Sequence, residues 1–144
     1  MFRRSILCFV AVVSLNSLVV ADDKDEWKAL AGTWKIEKAI FMGTDSTEIF
    51  KVAVLTIEGT KYTVTFNDLT DKGTLTIDTA KKPKRISVKG IEGPNKDKTL
   101  EAIYELKDDT LVVCYSLEGK EPPKEFESKE GTMTLLATYK RVKK

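Results

Sequence analysis

From Thr33 onward the chain alternates apolar and polar side chains with a period of two, and this pattern restricts the fold more than any other feature. Successive side chains of a β-strand point to opposite faces, so each such run builds a sheet with one buried face. Tyr62, Val64 and Phe66 share a face against Thr63 and Thr65, and Leu75 and Ile77 oppose Thr74, Thr76 and Asp78. Ile86 and Val88 alternate with Ser87 and Lys89. Leu100, Ala102, Tyr104 and Leu106 align, as do Leu111, Val113, Tyr115 and Leu117, and finally Leu135, Ala137 and Tyr139. Between the runs stand EGTK (58–61), TDKG (70–73), AKKPK (80–84), EGPNKDK (92–98) and KDD (107–109), all rich in turn formers. With strands starting at Thr33 and at about Phe50, the count reaches eight. Connections this short join antiparallel neighbours, because a parallel crossover needs a dozen or more residues.

An eight-stranded meander exposes two edges unless it closes, and closure gives an all-β, up-and-down antiparallel barrel. A two-sheet sandwich is the runner-up. The longest connection, residues 118–131, contains Pro122-Pro123 and is a loop or an edge excursion. One short helix is predicted over Asp23–Ala31, capped by Asp22 or Asp23, with Trp27, Leu30 and Ala31 on one face. Placed before the first strand, it plugs one end of a barrel. It leads into Gly32-Thr33-Trp34, where Trp34 either anchors the fold or walls a pocket.

Arg3 and Arg4, the apolar run Ser5–Val20 and the small residues ending at Ala21 have the form of a signal peptide, cut after Ala21. The alternative, an uncleaved anchor, fits less well because serines and Asn16 interrupt a run short for a span. Two regions follow: a signal peptide, 1–21, and one domain, 22–144. Cleavage removes two basic residues and no acidic one, so the formal charge falls from +2 to zero. Attraction to nucleic acid or to an anionic membrane is therefore not expected. With Cys8 removed, Cys114 is alone, either buried or paired between chains; its place inside an apolar strand favours burial.

The chain has no histidine. That removes Ser-His and Cys-His activation and every histidine-containing metal site, and one mature cysteine removes the cysteine-rich ones. Carboxylates alternate with lysines, the look of a solvated face, so no catalytic, metal or cofactor site is assigned. Lys81, Lys82, Lys84, Arg85 and Lys89 make a basic stretch without interleaved aromatics, which reads as a solubilising turn. NDLTD and GPNKDK lack the spacing of a calcium loop and read as turns.

Aromatic side chains fall on the inward faces: Tyr62, Phe66, Tyr104, Tyr115 and Tyr139. Eight strands enclose a space that side chains can fill or that holds one small ligand. The reading leans to a filled or mostly filled interior. If the barrel is hollow, Tyr62, Phe66, Tyr104 and Tyr115 are the walls for a small hydrophobic molecule. If it is filled, the chain is a cell-envelope interaction module whose charged loops make contacts. An enzyme working on carboxylates stands third.

The blocks LAGTWKIEKA (30–39), LTIEGTKYTV (55–64), GTLTIDTAKKPKRI (73–86), GPNKDKTLEAIYELKDDTLVVCY (93–115), EF (125–126) and LLATYKR (135–141) resemble the lipocalin and fatty-acid-binding superfamily. They are closer to a small lipocalin-like domain family of unknown function, recurrent in exported proteins of planctomycete bacteria. The resemblance implies that Trp34 packs at the closed end of the barrel under a basic residue near the chain's end, Arg141. Gly32 then provides the bend into the first strand. These are structural roles, and they move a ligand to the opposite rim.

Overall fold

A computed structural model describes residues 23–118 and 120–143; the expected signal peptide and Cys8 lie outside the described residues. The chain forms α1 (Asp23–Leu30), β1 (Gly32–Phe41), β2 (Thr44–Asp45), α2 (Thr47–Phe50), β3 (Val54–Glu58) and β4 (Lys61–Phe66). Then follow β5 (Leu69–Asp78), β6 (Lys84–Glu92), β7 (Thr99–Lys107), β8 (Thr110–Ser116) and β9 (Thr134–Arg141). From β3 onward each strand pairs antiparallel with the next, β3 pairs with β1, and β9 pairs with β1 from Trp34↔Arg141 to Phe41↔Leu135. The result is a closed, eight-stranded antiparallel barrel, with β2 a two-residue extension of β1. Closure leaves no long strand with an open ladder of backbone groups. The sandwich alternative is overturned by the β1–β9 pairing.

The inward faces carry the predicted apolar residues: Leu75 on β5, Ile86 on β6, Leu111 and Val113 on β8, and Ala137 and Tyr139 on β9 are all buried, joined by Leu55 and Ile57 on β3. The outward faces carry threonines, lysines and glutamates, the inverse of a barrel that faces lipid. Among the described residues no helix is long and apolar enough to cross a membrane.

Two boundaries differ from the alternation-based expectation. TDKG (70–73) is strand, not turn: β4 reverses at Asn67-Asp68, where Asn67 adopts φ 54°, and Thr70 to Gly73 pair with Thr65 to Tyr62. Asparagine tolerates the left-handed region, so the tight turn needs no glycine. The second barrel strand starts at Val54 and not near Phe50, which ends α2. There the Asp45 carboxylate accepts the Thr47 N–H at 3.0 Å and its hydroxyl at 2.6 Å, closing the chain into a helical turn. The same bonds hold the Asp45 carboxyl below its ordinary range.

Cys114 is fully buried and unpaired, on the outward face of β8. The segment at Glu127 and Ser128 lies against this strand: the Cys114 thiol donates to the Glu127 carbonyl at 3.5 Å, and Ser128 Oγ donates to the Thr134 carbonyl. Burial pushes the thiol pKa up.

Candidate functional site

The two ends of the barrel are built differently. At one end begin β1, β4, β6, β8 and end β3, β5, β7, β9, and α1 lies across it with Leu30 fully buried and Trp27 packed on the core. Trp34 is fully buried, and its Nε1 donates to the Leu30 carbonyl at 2.9 Å. The Arg141 guanidinium stands 4.2 Å from the centroid of the Trp34 ring. Its Nη1 and Nη2 donate to the Ala31 and Ala29 carbonyls and its Nε to Asp109 at 3.1 Å. The last carbonyls of a helix lack intrahelical donors and sit at the negative end of its dipole, so a guanidinium is a fitting cap. Gly32, at φ 134°, passes so close that a Cβ there would lie 2.9 Å from Arg141 Nη1. Glycine satisfies both requirements.

Tyr104 belongs to this closed end, which corrects its assignment as a cavity wall. It is buried, and its hydroxyl donates at 2.8 Å to Glu26 of α1, which also takes Lys84 Nζ at 2.9 Å. Alternation places Tyr104 on the inward face correctly; its height in the barrel puts it under the plug. Burial first, then the Glu26 hydrogen bond and charge, push its phenol pKa far up.

Above the plug the barrel is hollow. A cavity of about 370 Å³ is lined by Leu55, Leu75, Val88, Val113 and other apolar side chains, and extends to Phe50, Phe66, Leu69 and Pro94 at the opposite end. The expectation of a filled interior is overturned. The reason lies in how the aromatic rings are held. Gly73 faces inward, and a Cβ there would sit 2.8 Å from Tyr62 Cε1, so the Tyr62 ring folds onto β5. Its hydroxyl donates to Asp71 at 3.0 Å. Tyr115 and Tyr139 are tied to each other through their hydroxyls, 2.9 Å apart. These hydroxyl bonds fix the tyrosines in place, and the cavity lies among them.

Of the expected walls, Tyr62, Phe66 and Tyr115 line the cavity. Tyr139, expected on the inward face, lines it too, as do Asp71, Asn95 and Phe50, which alternation alone did not single out. Asp71 is the one buried charged side chain among the described residues. Its carboxylate also accepts the Asn95 N–H at 3.1 Å and Asn95 Nδ2 at 3.0 Å, pinning the β6–β7 connection beside the mouth. Burial raises the pKa of the lining phenols: Tyr62 and Tyr115 rise well above the usual value, and Tyr139 reaches about 12. All three are neutral hydrogen-bonding groups at neutral pH.

Exposed apolar side chains gather at the open end: Met42, Ile49, Val52, Leu69, Ile91 and Met133 all sit at strand ends or connections on that side. Two other depressions lie on the outer wall, one beside Glu37, Asp45 and Glu48, the other beside Glu105, Lys107 and Lys140; both are bordered by solvated charges. No cluster of His, Cys, Asp and Glu suited to a metal occurs among the described residues.

The fold and site together define a small antiparallel barrel, plugged at one end and hollow at the other. Comparison with protein-family models, with curated proteins and with solved structures yields no match.

Proposed function

We propose that this chain is an exported, lipocalin-like binding protein that holds one small hydrophobic molecule inside its barrel. The observation that carries the reading is the apolar cavity of about 370 Å³, reached from the end opposite Trp34 and Arg141. Its size lies at the lower limit of small-molecule sites, and an apolar lining with only a few polar groups, Asp71, Asn95 and three phenols, is the usual composition of such sites. The lipocalin-like sequence blocks agree with this reading. Export agrees with the N-terminal pattern, and a cut after Ala21 would leave α1, which starts at Asp23, intact. The mature chain would begin at Asp22 with no membrane anchor, no cofactor and no nucleic-acid partner, and it would bind without catalysing.

Titration with uncharged N-phenyl-1-naphthylamine tests the site. Saturable fluorescence enhancement is expected, lost in Val88→Trp, which fills the cavity, with the barrel's circular dichroism retained. Absence of saturable binding, or equal binding by the filled variant, overturns the reading. N-terminal sequencing of protein recovered from the cell envelope tests export, with Asp22 the expected first residue.

A further inference from the structure

Asp71 is 8 % exposed, on the cavity wall, and all three of its hydrogen-bond donors are neutral. The ion pairs of the described residues involve Asp109, Glu26, Glu48 and Glu127, none of which lines the cavity. Among the described residues no lysine or arginine lines it either. The wall therefore carries a carboxylate with no ion-pair partner among the described residues.

The carboxylate has capacity to spare. A carboxylate accepts at about four lone-pair sites. Oδ2 takes Tyr62 and the Asn95 side chain, while Oδ1 takes only the Asn95 N–H. Pinning the β6–β7 connection thus leaves one acceptor site on Oδ1. Apart from Asn95, the rest of the lining is aromatic or aliphatic, including Tyr62, Phe66, Tyr115 and Tyr139. Ring faces attract cations, and charges act strongly on each other where water is excluded. An anionic head group would meet the Asp71 carboxylate with no cation to receive it.

We propose that the cavity selects small amphiphiles with an ammonium head over carboxylates with the same tail, the head seating on Asp71 and the tail lying along Leu75, Val88 and Val113. This rests on the reading of the cavity as a ligand site. An apolar cavity of about 150 Å³ accepts benzene, so this one accommodates roughly 15 non-hydrogen atoms.

Isothermal titration at pH 7 with decylammonium, 1-decanol and decanoate, each below its micellar concentration, tests the ranking. Decylammonium is expected to bind about tenfold more tightly than 1-decanol, with decanoate weakest. Asp71→Asn is expected to erase that preference, and Tyr62→Phe, which keeps the carboxylate, to retain it. If 1-decanol binds as tightly as decylammonium, or decanoate binds best, the inference fails and the cavity reading stands. If none of the three binds, both fail. The wild-type ranking decides even where Asp71→Asn does not fold.

Discussion

Arg141 closes the barrel by stacking on Trp34 while its guanidinium nitrogens hold the last turn of α1, so two residues 107 positions apart share one structural task. Trp34 completes the cap by donating to the carbonyl that Arg141 leaves, that of Leu30. Strand, plug and final strand are thereby joined at one point.

Removing the indole should be expensive. Trp34→Ala is expected to lose about 3–5 kcal/mol, the usual cost of truncating a large buried aromatic. Urea denaturation measures it, and a loss under 1 kcal/mol would contradict the assignment of Trp34 to the core.

Arg141→Lys keeps the charge but not the planar fork that reaches two carbonyls and Asp109. A loss of about 1–3 kcal/mol is expected, near that of Arg141→Ala. Full stability in the lysine variant would show that charge alone matters at the C-terminus of α1.

Alkaline pH should unfold the protein. The chain has four tyrosines, and burial raises the pKa of each. Their folded values lie above the unfolded value of about 10, so the unfolded chain releases protons that the native barrel keeps. Stability is complete below about pH 10 and falls as pH rises through the folded values, by about 1.4 kcal/mol per pH unit for each phenol. Tyr139 rises to about 12. Phenolate absorbance is expected to stay low past pH 10 and then rise together with loss of the far-ultraviolet signal. A tyrosine titrating near pH 10 in the folded protein would contradict its burial.

Cys114 should resist thiol reagents. Buried, in contact with the Glu127 carbonyl and with its pKa raised, it offers little thiolate. Ellman's reagent is expected to label it only in denaturant. Rapid labelling of the native protein would mean that the segment at Glu127 opens readily.

The wall-facing residues were readable because period-two alternation reports which face of a strand a side chain occupies. It is silent on height. Tyr104 and Tyr115 share the inward face of neighbouring strands, yet one meets Glu26 in the plug and the other lines the cavity. That difference comes from strand register and stagger, which depend on pairings between distant segments. Asp71 was hidden for another reason. Asp71 and Gly73 interrupt the apolar series that continues at Leu75, and a polar residue beside a glycine has the composition of a turn. The carboxylate lies in the wall because Tyr62 and Asn95 satisfy it there, a circumstance no local window contains. The hollow interior has the same origin, since residue types alone do not show which hydroxyls pair with which partners.

The pairing of β1 with β9 also sets an order in time. A growing chain can lay down β1 to β8 and still hold two raw edges, because the strand that joins them is the last to be made. Both edges stay open to wrong partners until Leu135 to Arg141 arrive. For this barrel β9 is the latch, and a chain cut just before it would be a sticky sheet.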